Sequence, residues 1–216
     1  MKNKKYIIFD FDGTLFDSQI GIKKAFQYAL KQEGIIENDK EKLQSFIGPS
    51  LHSTFEKHYG FSKEKIDEVI VKFRAYYSNK GYLETALYYE VKEMLQDLKN
   101  ADKSISIATA KPTVYAKQIL KNFELMHFFD SIQGSKLKGE LFPKDRVIGS
   151  VMKDLDLFDA EDCVMIGDTI YDIKGAQYHN MDCIAVNYGY GKHKDLVDAR
   201  PNKVVETVNE LREFIL

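Results

Sequence analysis

The sequence predicts an open parallel α/β sheet, Rossmann-like in its layering, with a small all-helical domain inserted after its first strand. Three observations carry this. Short apolar runs of strand length recur along the chain, amphipathic helical stretches separate them, and one long helical region interrupts the alternation.

The first strand is Tyr6-Ile7-Ile8-Phe9, an unbroken apolar run of the kind buried on both faces. Residues 17–82 then show helical periodicity and no convincing strand. Ala25, Phe26, Ala29 and Leu30 share one face, and Ile66, Val69, Ile70, Phe73 and Tyr77 another. A region this long is no loop, so residues 17–82 are expected to form a helical cap, and residues 1–16 and 83–216 the sheet domain. Val91, Met94, Leu95 and Leu98 open the alternation again, followed by a strand over Ile105–Ala108 and a helix carrying Tyr115, Ile119, Leu120 and Phe123. Phe129–Ile132 is a weaker strand. Val147, Ile148, Val151, Met152 and Leu155 mark a helix, and Cys163–Ile166, Cys183–Val186 and Val204-Val205 complete the strand set.

Composition removes several classes of function. The 31 basic and 33 acidic residues nearly cancel and no basic stripe is evident, which argues against binding a nucleic-acid polymer. With 44% hydrophobic and 12% aromatic residues the chain has the material for a core, so disorder is excluded. Two cysteines cannot make a disulfide framework, and Cys163 and Cys183 both lie in strand-like runs, as expected of reduced, buried thiols. No apolar stretch reaches the roughly 20 residues of a membrane span. Met1–Lys5 is followed by no signal-like apolar region. The expectation is a soluble cytoplasmic protein.

Four features carry chemistry. The first strand runs into Asp10-Phe11-Asp12-Gly13-Thr14, where an open α/β sheet binds its ligands. Two carboxylates there suit a hard divalent cation such as Mg2+, and Gly13 permits a sharp turn. Ile166-Gly167-Asp168-Thr169-Ile170-Tyr171-Asp172 ends another buried strand: Asp168 is a candidate metal ligand, while Thr169 and Asp172 also have capping-box spacing. Thr109-Ala110-Lys111-Pro112 offers a hydroxyl and an amide as a phosphate seat, or else an N-cap with Pro112 in the first helical turn. Lys144 follows Phe142-Pro143 and opens a helix.

These four features, in this order and with the helical insertion after the first, resemble the haloacid dehalogenase superfamily of phosphohydrolases along nearly the whole chain. Asp10 to Ser18, Gly48-Pro49-Ser50-Leu51, Phe73 to Tyr77, Ala108 to Pro112 and Tyr188-Gly189-Tyr190-Gly191 are similar to its phosphoglycolate-phosphatase-like branch. Ala110 departs from a frequent serine, and Leu141 from a frequent arginine.

The resemblance implies a Mg2+-dependent phosphomonoesterase acting through an aspartyl phosphate. Asp10 would be the nucleophile and Asp12 the acid and base, with the metal held by Asp10, Asp168 and the backbone carbonyl of Asp12. Asp172 would stand in the metal's water shell or orient Lys144. Thr109 and Lys144 complete the catalytic set. Gly13, Thr109, Ala110 and Lys111 on the sheet domain, and Gly48 and Arg74 on the cap, would meet the substrate. Tyr76, Tyr77 and Tyr82, at helical spacing, read as packing. The expected partner is a small phosphorylated metabolite such as phosphoglycolate or a nucleoside monophosphate, and the protein a monomer or homodimer. A β-phosphoglucomutase-like phosphomutase, an inorganic pyrophosphatase and a phospho-Asp signalling module are the competing readings.

Overall fold

A computed structural model of the chain describes residues 1–137 and 143–216. The strands are β1 (Tyr6–Phe9), β2 (Phe16–Asp17), β3 (Ala86–Leu87), β4 (Ser104–Pro112), β5 (Ser131–Ser135), β6 (Cys163–Gly167), β7 (Asp182–Val186) and β8 (Lys203–Val205). The helices are α1 (Gln19–Lys31), α2 (Lys40–Gln44), α3 (Leu51–Tyr59), α4 (Lys63–Asn79), α5 (Val91–Asn100), α6 (Thr113–Asn122), α7 (Lys144–Asp154), α8 (Ile170–Tyr178), α9 (His193–Asp198) and α10 (Val208–Ile215). The chain divides into two compact units, Met1–Phe16 with Leu87–Leu216, and Asp17–Ala86.

The first unit is a parallel sheet in the order β5-β4-β1-β6-β7-β8, flanked by helices. β1 lies at its centre, with Ile8 opposite Ser106 of β4 on one side and Met165 of β6 on the other. The chain builds outward from β1 to β4 and β5, then crosses back to β6 and builds the other way. Connections therefore diverge beside β1, and the carboxyl ends of β1, β4 and β6 border one crevice. Both faces are buried: Ile8, Ala108, Met165 and Cys183 pack with Val147, Ile148 and Val151 of α7 and Ile173 of α8. Ile7, Phe9, Val164 and Ile166 alternate to the other face and are fully buried as well.

Two strands differ from the sequence reading. β4 does not stop at Ala108 but continues to Pro112, and α6 begins at Thr113 with Pro112, not Thr109, at its N-cap. The residue before a proline is disfavoured in helical conformation, which keeps Lys111 extended. β5 begins at Ser131, later than the expected Phe129, because a 3-10 turn over Met126–Phe128 precedes it. Asp130 then accepts hydrogen bonds from the Ser104 hydroxyl (2.8 Å) and the Ile105 amide (3.0 Å), fixing the start of β5 beside β4.

The second unit holds α1 to α4 around an aromatic core. Phe26 of α1 meets Phe46, Phe55 and Phe73 at ring-centroid distances of 4.9, 5.3 and 4.9 Å. Asp39, Ser50 and Ser62 cap the following helices by accepting amide bonds from Glu41, Ser53 and Lys65. The unit extends through residue 86 because Glu84 is tied to it: its carbonyl accepts from the Gly21 amide (3.2 Å), and its carboxylate from the Tyr76 hydroxyl (3.0 Å).

Two outcomes follow for this unit. Phe26→Ala removes the ring at the centre of the cluster and is expected to cost about 3–5 kcal/mol, read as a lowered urea midpoint for its unfolding. Glu37 carries a carboxyl held down at about 2, first by Lys42 and then by the Asp39 amide and the Tyr59 hydroxyl, with burial acting the other way. Its contribution is present above the ordinary carboxylate value of 4.5 and is lost as pH falls through about 2. Glu37→Gln should flatten the loss of thermal stability across that window, and an unchanged pH profile would remove Glu37 from the explanation.

Candidate active site

The site is built at the ends of β1, β4 and β6 and at the start of α7 and α8. β1 delivers Asp10 directly after Phe9, and the Asp10 amide donates to the Ile166 carbonyl at 2.8 Å, locking the two strand ends together. One carboxylate oxygen of Asp10 accepts from its neighbour Phe11 N (2.7 Å) and lies 2.9 Å from Lys144 Nζ. The other takes no hydrogen bond among the described residues. Asp10 thus has one oxygen fixed and one presented.

Lys144 is buried at the first turn of α7. Its ammonium reaches Asp172 Oδ1 at 2.7 Å, Asp10 Oδ1 at 2.9 Å and the Ala108 carbonyl at 3.1 Å. Burial alone would depress this lysine, but Asp10 and Asp172 overcome it and hold it above its ordinary value, so it is a cation. Asp172 also ties down the start of α8, because its other oxygen accepts from the Thr169 amide (2.9 Å) and hydroxyl (2.7 Å). The capping and lysine-orienting roles coexist on one side chain.

Asp168 is fully buried. It accepts from the Thr14 hydroxyl at 3.2 Å and the Tyr190 amide at 2.8 Å. The backbone approaches so closely that glycines are required beside it, Gly13 and Gly189 among them. A Cβ on Gly13, which has φ +82, would stand 2.2 Å from Asp168 Oδ2, and one on Gly189 would stand 2.3 Å from Asp168 Cβ. Gly13, expected to meet substrate, thus makes room for Asp168. The loop after β7 is pinned by the Tyr190 amide and by the Tyr188 hydroxyl, which donates to the Thr14 carbonyl at 3.0 Å.

Asp10, Asp168 and Asp172 each offer an oxygen within 4.8 Å of the others. Burial first, then Asp172 and Asp10, push the Asp168 carboxyl well above its ordinary range. Burial likewise raises Asp10 to about 6, with Lys144 working against it and Asp172 with it. Three carboxyl groups share one ammonium, so ionising all three would leave two negative charges uncompensated in a buried place. An all-oxygen donor set with that deficit fits a hard divalent cation such as Mg2+.

The remaining residues are arranged around this cluster. The Asp12 carboxylate is not one of the three; it turns to Lys111 Nζ, at 2.7 and 2.8 Å. Thr109 is buried in β4 just beyond its pairing with β1, its hydroxyl oxygen accepting from the Lys111 amide at 3.2 Å, while Ala110 is exposed. Gly48 and Arg74 belong to the helical unit: Gly48 is exposed with φ +104, and Arg74 is half-buried on α4. Tyr77 stacks on Phe73 at 5.7 Å, in keeping with packing. Leu141 and Phe142 lie outside the described residues. The sequence reading missed the contacts of Asp168 with Thr14 and Tyr190. The paired glycines around Tyr190 were the available signal for the second.

Removing the Lys144 charge leaves buried carboxylates facing one another. Lys144→Met is expected to destabilise the sheet unit by about 3–5 kcal/mol in chelator, with part of the loss recovered in MgCl2, as read by thermal unfolding. Equal destabilisation with and without Mg2+ would contradict a cation site at this cluster.

The haloacid dehalogenase-like hydrolase family model matches residues 7–186. Among curated relatives, a 5'-nucleotidase of Pseudomonas aeruginosa is 34% identical over 97% of this chain and 94% of its own length. The tyrosine-protein kinase PtkA of Mycobacterium tuberculosis is 33% identical over 99% of this chain and 73% of its own. Phosphoglycolate phosphatases also match, at 26–30% identity. A crystal structure of a predicted phosphatase from Clostridium acetobutylicum superposes with a TM-score of 0.93 at 39% identity, covering 98% of this chain and 97% of that one. With the carboxylate cluster and Lys144 at the ends of a parallel sheet, and with matches that run nearly end to end, the chain belongs to the haloacid dehalogenase-like hydrolases.

Proposed function

We propose that this hydrolase is a Mg2+-dependent phosphomonoesterase of small organic phosphates, working through a phosphorylated Asp10. The observation that carries this is Asp10 itself, held on one oxygen by Lys144 and the Phe11 amide and presenting the other. A carboxylate so placed can attack phosphorus in line with a leaving alcohol. Mg2+ held by Asp10, Asp168 and Asp172, with the Asp12 carbonyl as a further donor, would screen the phosphate charge from the attacking carboxylate.

The chain's own residues divide the rest. Lys144 offsets negative charge on Asp10 as the dianionic phosphate approaches. Thr109 and the Ala110 amide, in β4 just beyond its pairing with β1, would donate to phosphoryl oxygens. Asp12 gives a proton to the leaving oxygen and takes one from the water that later attacks the aspartyl phosphate. Gly48 and Arg74 of the helical unit are the residues proposed to meet the organic part of the substrate. Phosphoglycolate and nucleoside monophosphates are the first substrates to try, since relatives along the whole chain are named for both.

Phosphate release from a panel containing phosphoglycolate, nucleoside monophosphates, sugar phosphates and pyrophosphate tests the reading. Turnover should need Mg2+, stop in chelator, and fall by at least about a thousandfold in Asp10→Asn. Undiminished release by that variant would overturn it. So would labelling of a tyrosine substrate from ATP in place of phosphate release, which would align the chain with its kinase-named relative.

A further inference from the structure

The ion pair between Lys111 and Asp12 has no part in the chemistry above, yet the fold goes to some length to make it. β4 and β5 are in register up to Ala108 opposite Gln133 and resume at Pro112 opposite Ser135, so β4 spends four residues where β5 spends two. The bulge is closed by the bond from the Lys111 amide to the Thr109 hydroxyl oxygen. It fits because β5 carries Gly134 there; a Cβ at that position would lie 2.3 Å from the Lys111 carbonyl. The bulge aims Lys111 inward. Its side chain is 2% exposed, its ammonium meets both oxygens of Asp12, and the same ammonium lies 5.5 Å from the Phe11 ring centroid.

Asp12 stands two residues after Asp10, beside three carboxylates that already outnumber their lysine. A fourth carboxylate turned inward would add repulsion and occupy the place where the nucleophile acts. A two-point grip by Lys111 holds Asp12 away from the cluster in one orientation. From this geometry, and resting on the phosphatase reading, we infer that Lys111 is a positioning residue for Asp12, setting its carboxyl group for proton transfer to the leaving oxygen.

In the first step an Asp10 oxygen bonds to phosphorus and the bond from phosphorus to the ester oxygen breaks. The electron pair goes to that oxygen, which takes the proton from Asp12. In the second step water oxygen bonds to phosphorus, its proton goes to Asp12, and Asp10 leaves as carboxylate. Lys111, expected to meet substrate, instead holds both oxygens of Asp12, so loss of the grip slows both proton transfers and leaves phosphate binding alone. A nitrophenolate leaving group needs no proton, so the first step on p-nitrophenyl phosphate escapes the loss.

The test compares Lys111→Met with wild type on p-nitrophenyl phosphate, followed from the first turnover, and on the best alkyl phosphate of the panel. The variant is expected to release the first equivalent of nitrophenolate at close to the wild-type rate and then slow. On the alkyl ester kcat falls by about a hundredfold or more with KM little changed, and Lys111→Arg recovers part of it. In an Asp12→Asn background, where no lone charge is left behind, Lys111→Met should cost nothing further, which keeps the test usable if the single variant folds poorly. Equal slowing of both substrates with a raised KM would overturn the inference, as would a further loss in the Asp12→Asn background. Wild-type turnover that survives Asp10→Asn would overturn the phosphatase reading as well, so the two failures are distinct.

Discussion

One ammonium among three carboxylates is the constraint on which this structure turns. Lys144 touches Asp10, Asp172 and the Ala108 carbonyl, so it links the end of β1, the start of the β4 bulge and the start of α8 through the first turn of α7. Each of those contacts offsets part of the cost of burying a charge. None of them neutralises Asp168, which is fully buried and relies on the Thr14 hydroxyl and the Tyr190 amide. The cluster is therefore stable as a set of positions and unbalanced as a set of charges. That combination suits a cation and a phosphate arriving together.

The sheet explains why these groups meet. β4, β1 and β6 are neighbours, and the connections leaving them diverge, so side chains from residues 10, 109 and 168 come to one edge without crowding the core beneath. The apolar strands do the positioning from below: Ile7, Ile8, Phe9, Val164, Met165 and Ile166 are all fully buried. The close backbone approaches at Gly13 and Gly189 do it from above. A side chain at either place would collide with Asp168, so the charged groups are fixed by packing on one side and by absent atoms on the other.

Much of this was legible in the sequence because its signals are local. Apolar runs locate β1, β6 and β7, and an Asp just past such a run, directly for Asp10 and after Gly167 for Asp168, locates both carboxylates. The capping box at Thr169 and Asp172 is written in their spacing, although its second use, holding Lys144, is not. What escaped depends on contacts between distant residues or on backbone groups that have no letter in the sequence. Thr14 meets Asp168 across 154 residues, Asp12 meets Lys111 across 99, and the donor from Tyr190 is an amide. The extension of β4 to Pro112 escaped because a bulge reads as a strand end when only the apolar run is counted.

In the proposed reaction Asp10 carries the phosphoryl group. Quenching the enzyme during turnover with borohydride reduces an aspartyl phosphate to homoserine, which mass spectrometry of the digested chain can locate. A homoserine at position 10, formed only with substrate present, is the expected result. An unreduced Asp10 alongside steady phosphate release, or reduction at another aspartate, would contradict the claim.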